Sequence, residues 1–190
     1  MCGRYAIYSV KKIIEKFNVK IKEDYNVAPK SLVLVLIEGF IPIKMIWSYS
    51  PVWTKKQFEI INARIETLNE KKSFKNSLRC IFLADGYYEW KADKDYKKPY
   101  YHFHKTNLLY MAGIYNKTSG CCIVTKESYS EISHIHHRQP VLLNENNANS
   151  WFDKSYDYNK ASDIPLSFYK VNTDVNNPRN NNIENISSIE

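Results

Sequence analysis

The sequence predicts an α+β fold, in one domain with many short, mostly antiparallel strands and few helices. Short runs of β-branched and aromatic residues recur along the 190-residue chain and are separated by turn residues. Only two segments carry a helical pattern, and both are short. The chain contains no internal repeat and no linker rich in Gly, Pro or Ser, so one domain is expected.

The first predicted element is an amphipathic helix over residues 10–18. Apolar side chains recur from Val10 to Phe17 at the spacing i, i+3, i+4 and i+7, and Ser9 precedes them as an N-cap residue. A second short helix is predicted around residues 147–152.

Strands are predicted for most of the remaining chain. Asn26-Val27-Ala28-Pro29 is predicted as a turn, and Asp85-Gly86 as another. Strand character is found in residues 32–37, 43–49, 80–83, 87–90, 99–104, 108–115, 121–125, 141–143 and 166–171. Little apolar material follows Asn172. We therefore expect a domain over residues 1–175 and a polar, loosely held tail over residues 176–190.

The composition favours a nucleic acid as the partner. Lys and Arg outnumber Asp and Glu by 27 to 20, and aromatic residues make up 14% of the chain. A basic, aromatic-rich surface suits single-stranded nucleic acid, whereas lysines that only keep the protein soluble are the alternative. No segment is long and apolar enough to span a membrane, and the N-terminus has no secretory pattern, so we expect an intracellular, reducing location.

Cys2 directly follows the initiator methionine. Removal of Met1, which a small second residue favours, would leave a chain that begins with an exposed cysteine. Its α-amine (pKa ~7.7–8.0) and thiol (pKa ~8.5) are then both nearly poised to react at neutral pH. An aldehyde can form a Schiff base with the amine, and the thiol can close a thiazolidine ring. We expect Arg4 to lower the thiol pKa; an incidental cysteine is the alternative.

Asn62 and Arg64 lie two residues apart and share a face where the segment is extended. Asn62 can orient an amine or a carbonyl by hydrogen bonding, and Arg64 can grip a phosphate with two hydrogen bonds. The alternative is a surface strand with an ordinary salt bridge between Arg64 and Glu66.

Glu89 is a single carboxylate within an aromatic strand. Apolar surroundings raise the pKa of a carboxyl group, which suits general acid–base catalysis near neutral pH. The alternative is an outward-facing glutamate on an edge strand.

Three histidines lie within the four residues 134–137. No Cys or Asp completes a known metal site with them, so we expect no metal ion and no other cofactor. A histidine that shuttles protons is preferred to a metal ligand, and a hydrated basic loop stays open as the plainest alternative. His102 and His104 are expected to be structural or superficial. The other cysteines lack CxxC and zinc spacing and are expected to pack inside strands: Cys80, Cys121 and Cys122.

In this order, these pieces resemble the SRAP family, the SOS-response-associated peptidase domain. The resemblance lies in Met1-Cys2-Gly3-Arg4-Tyr5, Asn26-Val27-Ala28-Pro29, Ile61-Asn62-Ala63-Arg64-Ile65-Glu66-Thr67, Arg79-Cys80, Ala84-Asp85-Gly86-Tyr87-Tyr88-Glu89-Trp90, Ala112-Gly113 and Ile135-His136-His137-Arg138-Gln139-Pro140. It covers the chain from Met1 to about Val175, and the combination of motifs is highly specific.

The resemblance implies a compact domain of curved, mostly antiparallel β-sheets, which agrees with the fold predicted above. It also implies that Met1 is removed and that the Cys2 amine attacks the aldehyde of an abasic site in single-stranded DNA. The thiol would then close a thiazolidine, a covalent link between protein and DNA that shields the site. Asn62 would orient the Cys2 amine, Glu89 would move protons, and His136 would assist opening of the sugar ring.

The resemblance further implies that Arg4, Arg64 and Arg138 hold backbone phosphates, and that Pro29 and Trp53 wedge against bases. The implied partner is single-stranded DNA with abasic sites, bound by a monomer in the cytoplasm or nucleoid of a bacterium or in the nucleus of a eukaryote. Autopeptidase and lyase activities are implied as well.

Two departures from the family pattern bear on the DNA wedge. Trp47-Ser48-Tyr49-Ser50-Pro51 stands where the family commonly has Trp-Gly-Leu-Ile-Pro, and the spacing from Trp53 to Asn62 is longer than usual. Two other functions stay open: a protease that cleaves other proteins through Cys2 and His136, and a noncatalytic binder of single strands.

Overall fold

The computed structural model describes residues 2–54, 58–93 and 96–189. In these ranges the chain forms thirteen strands and three short helices, mostly in antiparallel sheets, which confirms the α+β class. The helices are α1 (Val10–Phe17), α2 (Ser130–Ser133) and α3 (Ala148–Phe152). The strands are β1 (Tyr5–Ile7), β2 (Asp24–Val27), β3 (Leu32–Ile37), β4 (Ile41–Ile46), β5 (Asn62–Arg64), β6 (Leu78–Ala84), β7 (Gly86–Ala92), β8 (Lys97–Phe103), β9 (Leu109–Asn116), β10 (Gly120–Glu127), β11 (Arg138–Pro140), β12 (Leu142–Leu143) and β13 (Ser167–Lys170).

The strands form two sheets, and both sheets contribute residues to the site described below. One sheet has five strands in the order β13-β8-β7-β1-β2. The other has eight, with the path β11-β10-β9-β6-β3-β4, β12 beside β9 and β5 beside β10. Among the named strands of the described ranges, only β5 and β10 pair in parallel, with Asn62 opposite Ile123. The predominance of antiparallel pairing confirms the sequence prediction.

The hydrophobic core lies between the sheets and contains aromatic side chains from both. Tyr5 of β1 packs on Trp47 with ring centroids 5.5 Å apart, and Trp47 packs on Phe82 of β6 at 6.1 Å. The cysteines predicted to pack in strands are fully buried in the same core: Cys80, Cys121 and Cys122. Burial of such apolar surface contributes roughly 25 cal/mol per Å² to stability.

The bounds of helix α1 agree with the sequence prediction to within one residue, but the predicted N-cap bond of Ser9 is not formed. The helix ends at Asn18 in the left-handed conformation, with φ of 49°. Ser9 makes no side-chain cap bond to the helix, and its hydroxyl donates to the Asp85 carboxylate instead. Asp85 also accepts hydrogen bonds from the backbone N–H groups of Tyr8 (2.6 Å) and Ser9 (2.8 Å). A distant carboxylate has therefore replaced the local cap.

Two predicted turns are partly strand in the structure. Asn26 and Val27 belong to β2, and the chain turns only after them, where Lys30 has φ of 73°. Gly86 is the first residue of β7, with only Asp85 as the bend before it. A Cβ at Gly86 would lie 2.4 Å from the Tyr101 ring, so glycine permits close approach of β7 and β8 here.

The C-terminal segment is more closely packed than its composition predicts. Residues 173–176 and 183–186 form 3-10 helices, and Val175 and Asn185 are almost completely buried. The amide Nδ2 of Asn26 lies within hydrogen-bond distance of three carbonyl oxygens of this segment, those of Val175, Asn177 and Asn180. Amide hydrogen bonds and apolar side chains, those of the buried Val175 and the partly buried Ile186, together anchor the segment.

None of the helices in the described ranges has the length and apolar character needed to cross a membrane.

Candidate active site

Cys2 lies where the two sheets meet, separated from β1 by two residues. Its side chain is fully buried, which differs from the expected exposed thiol. The Asn62 side chain, on β5 of the other sheet, donates from Nδ2 to the Cys2 carbonyl oxygen at 2.9 Å. This bond ties the start of the chain to the larger sheet, and it brings two sequence-predicted site residues together.

The other amide atom of Asn62 is available to a ligand. Asn62 Oδ1 is buried and has no hydrogen-bond partner among the described residues. A buried acceptor left unsatisfied costs about 1–3 kcal/mol. Such an atom beside Cys2 is suited to accept a hydrogen bond from an amine.

Glu89 and His136 form the second pair of the site. Glu89, on β7, is only 3% exposed, so it is not the outward-facing glutamate of the alternative interpretation. Its carboxylate Oε1 lies 3.9 Å from Nδ1 of His136, which follows α2. The backbone N–H of Arg138 donates to the same Nδ1 at 3.0 Å and holds the imidazole ring in place.

Burial sets the protonation states of this group. Burial raises the pKa of Glu89 to about 7, so both its forms are populated at neutral pH. Burial also lowers the pKa of His136, which favours the neutral imidazole.

The Cys2 thiol does not have the lowered pKa that the sequence predicts. Burial, and then the negative charge of Glu89, raise the pKa of Cys2, so the neutral thiol is the stable form at pH 7. The Arg4 guanidinium is engaged elsewhere, because its Nη1 donates to Asn26 Oδ1 (2.7 Å) and to the Val175 carbonyl oxygen (2.8 Å). Reaction of this thiol consequently requires a base.

The three candidate phosphate-binding arginines have different surroundings. Arg64 is exposed on β5. Arg138 is 8% exposed and binds both carboxylate oxygens of Glu66, at 2.7 and 2.9 Å. Glu66 therefore pairs with Arg138, rather than with Arg64 as the alternative interpretation supposed. The Nε atoms of Arg4 and Arg138 are buried and have no partner within the described ranges.

The two candidate wedge residues lie outside this cluster. Pro29 is half-buried in the turn after β2. Trp53 lies between β4 and β5, is 52% exposed, and has Lys72 Nζ 5.1 Å from its ring centroid.

A cleft of about 460 Å³ opens beside Glu89 and His136. Part of its wall comes from Thr173 and Asn176 in the C-terminal segment, which sequence reasoning missed. No motif marks these residues, because they reach the site only through the fold. A larger groove of about 790 Å³ between α1, β2 and β3 is lined by none of the four candidate catalytic residues.

Two further features concern the role of His102 and the presence of metal-binding clusters. His102 is buried, stacks on Tyr87 at 4.8 Å, and has its pKa lowered to about 4 by burial, in agreement with a structural role. Within the ranges that the structure describes, no three His, Cys, Asp or Glu side chains are grouped to hold a metal ion.

The model of the family described as "SOS response associated peptidase (SRAP)" matches residues 1–178. This chain belongs to the SRAP family. The Bacillus subtilis protein named "Abasic site processing protein YoqW" is 34% identical to it, with 99% of this chain and all of the relative covered. The Escherichia coli "Abasic site processing protein YedK" is 29% identical over the full length of both chains.

Solved structures share the fold of this SRAP chain. A protein from Bacteroides thetaiotaomicron covers 91% of this chain, and 93% of its own length is matched, with a TM-score of 0.74 and 21% identity. A phage-related protein from Bordetella bronchiseptica has a TM-score of 0.70 and 26% identity, with 90% of this chain and 94% of that protein covered. The sheets and short helices described above are therefore those of the SRAP fold.

Proposed function

We propose that this SRAP protein is an abasic-site sensor that binds single-stranded DNA and links itself to the damaged sugar through Cys2 after Met1 is removed. The observation that carries the proposal is the grouping of Cys2, Asn62, Glu89 and His136, which come from four separate segments of the chain. The names of the YoqW and YedK relatives support abasic sites as the substrate.

The first step is formation of an imine. Removal of Met1 frees the α-amine of Cys2, and Asn62 Oδ1 accepts a hydrogen bond from it. His136, in its protonated form, gives a proton to the ring oxygen of the abasic sugar, and ionised Glu89 takes the proton of the sugar's C1 hydroxyl. The bond between C1 and the ring oxygen breaks, and C1 becomes an aldehyde. The amine nitrogen then attacks the aldehyde carbon, and water leaves as the imine forms. Glu89 moves protons in both directions, since its pKa of about 7 makes both forms available.

The second step is closure of the ring. The Cys2 sulfur adds to the imine carbon, and the imine nitrogen becomes the secondary amine of a thiazolidine. Because the Cys2 thiol has a raised pKa, its proton must be removed as the sulfur attacks, and Glu89, whose charge acts on this thiol, serves as the base. Closure diverts the imine from β-elimination, which would otherwise cleave the DNA strand.

Noncovalent binding of DNA depends on charge and stacking. Arg64 is exposed and grips a phosphate directly, whereas Arg4 and Arg138 contribute only those donors that are not bonded within the protein. Pro29 and Trp53 contact unstacked bases, and each stacking contact contributes about 1–3 kcal/mol. Phosphate contacts give affinity without sequence preference and make binding sensitive to salt.

The test uses protein whose loss of Met1 has been verified by intact mass spectrometry. Wild type mixed with a single-stranded oligonucleotide that contains one abasic site should give an adduct that survives a denaturing gel. Cys2→Ser keeps the α-amine but lacks the thiol, so its stable adduct should fall to background. Imine trapping with borohydride separates a transient imine from a closed ring.

Cys121→Ser is the matched control for loss of a thiol. Cys121 is buried in β10 and its Sγ lies 3.4 Å from the Ile46 carbonyl oxygen, a contact that a serine hydroxyl can keep. This variant should crosslink like wild type. The proposal fails if wild type without Met1 gives no adduct, or if Cys2→Ser gives an equally stable one. Cleavage of peptides by wild type, blocked by Cys2→Ser, would instead indicate a protease.

A further inference from the structure

The cleft beside Glu89 and His136 has a cationic wall that the reaction described above does not use. Lys97, the first residue of β8, lines this cleft together with the two catalytic candidates. It is exposed, and no ion pair of Lys97 is formed within the described ranges. Its positive charge acts on both groups: it lowers the pKa of Glu89 against the larger, raising effect of burial, and it lowers the pKa of His136 in the same direction as burial.

The neighbouring lysine has a different environment. Lys98 Nζ pairs with Asp93 at 2.5 Å and lies 5.2 Å from the Tyr96 ring centroid. Successive residues of a strand point to opposite faces. Lys97 therefore provides a cation inside the cleft, and Lys98 provides a comparable cation outside it. Of these two lysines, Lys97 is the one without a negatively charged partner among the residues described.

The part of the cleft wall that the C-terminal segment forms is held in place by hydrogen bonds. The indole N–H of Trp90 donates to Asn176 Oδ1 at 2.7 Å. The guanidinium of Arg4 binds the carbonyl oxygen of the adjacent Val175 at 2.8 Å. The C-terminal segment, which lines the same cleft as Lys97, is therefore fixed by these hydrogen bonds.

We propose that this cleft is the subsite for a nucleotide that flanks the abasic sugar, and that Lys97 binds its phosphate. The inference rests on the proposed function. An abasic sugar carries a phosphodiester at both its 5′ and 3′ oxygens. When the reacting carbon of the abasic sugar lies beside Glu89 and His136, the two phosphates attached to that sugar lie against the walls of the cleft. The wall that carries an unpaired cation is the one that Lys97 forms.

The test measures noncovalent binding, so that it does not depend on the crosslink. The probe is a single-stranded oligonucleotide with a tetrahydrofuran abasic analogue, which has no aldehyde. Lys97→Gln should weaken its binding about five- to tenfold, whereas Lys98→Gln, the matched control, should bind like wild type. The slope of log affinity against log salt should fall by about 0.7 for Lys97→Gln, as for loss of one phosphate contact with a single strand.

A second arm identifies the phosphate. Each linkage that flanks the analogue is replaced in turn by an uncharged methylphosphonate. One of the two replacements should weaken wild-type binding by the same factor as Lys97→Gln, and it should not weaken binding by Lys97→Gln further, because the two changes remove one contact.

The inference is overturned if Lys97→Gln binds with wild-type affinity and salt slope, or if both methylphosphonates weaken wild type and the variant equally. A change in crosslinking rate alone, with binding unaltered, would also overturn it, since Lys97 would then act only on Glu89 and His136. Failure of the proposed function is a separate result, namely no adduct between wild type and DNA with a true abasic site.

Discussion

Burial of single side chains determines the chemistry available at this site. The sequence suggests a thiol activated by a neighbouring cation, but the structure places Cys2 in the core with a raised pKa. The same burial raises the pKa of Glu89 into the physiological range. A neutral thiol beside a half-ionised carboxyl group is an acid–base pair, so in the proposed mechanism Cys2 is activated by Glu89 rather than by the Arg4 guanidinium.

Glu89→Gln should stabilise the folded protein at high pH. The folded-state pKa of Glu89, about 7, is above its ordinary value of 4.5. Its contribution to stability is therefore fully present below pH 4.5 and is lost as the pH rises through 7. At pH 8 the buried charge costs about 1–3 kcal/mol, which Gln removes. Urea unfolding at pH 4 and pH 8 measures this difference.

The control is Glu15→Gln, at an exposed position of α1. It should leave the pH dependence of the unfolding free energy unchanged. A Glu89→Gln protein less stable than wild type at pH 8 would contradict the prediction. The same variant should form and reverse the DNA adduct more slowly, since it lacks the proton carrier.

At the scale of elements, strand β1 and helix α1 are joined by a connection that depends on one distant carboxylate. Asp85 accepts hydrogen bonds from two backbone N–H groups of this connection and from the Ser9 hydroxyl. It lies between β6 and β7, so it ties the start of α1 to both sheets. Since only two residues separate β1 from Cys2, this anchor also bears on the position of Cys2.

Asp85→Ala should lower the free energy of unfolding by about 1–3 kcal/mol, because it leaves three donors without their acceptor. Amide hydrogen exchange at Tyr8 and Ser9 should become faster than elsewhere in the protein. Asp153→Ala is the matched control, since Asp153 is exposed and accepts only from its near neighbour Ser155. Equal losses of stability in the two variants would count against a special role for Asp85.

At the scale of the whole molecule, the site is completed by the two ends of the chain. Arg4 and Asn26, near the N-terminus, bind carbonyl oxygens of residues 175–180. The C-terminal segment thereby becomes a wall of the cleft at Glu89. The position of this wall depends in part on polar contacts, several of which are made by one amide group, that of Asn26.

Asn26→Ala should release the C-terminal segment. Loss of its buried hydrogen bonds should reduce the free energy of unfolding by about 1–3 kcal/mol. Limited proteolysis should cut between residues 172 and 189 faster than in wild type. Asn180→Ala is a suitable control because it keeps the backbone carbonyl that Asn26 binds. Proteolysis of Asn26→Ala at the wild-type rate would show that other contacts hold the segment.

Much of the fold was predictable because local periodicity reports which faces are buried. Strand β3 has the predicted bounds of residues 32–37, and α1 differs from its prediction by one residue. The three-residue strands β1 and β5 were not predicted, since so short a segment shows no clear alternation of apolar and polar residues. The N-cap of α1 was wrong because Asp85, far along the chain, competes for Ser9.

The sequence by itself determined the α+β class, the main strands and the list of candidate groups, since residue type and spacing are local properties. Only the tertiary structure decided that Asn62 reaches the Cys2 carbonyl, that Glu66 pairs with Arg138, and that the C-terminal segment walls the cleft. It also decided the pKa of Glu89. Each of these depends on which distant residues meet and how much water they exclude, and neither quantity is encoded in the spacing of residues along the chain.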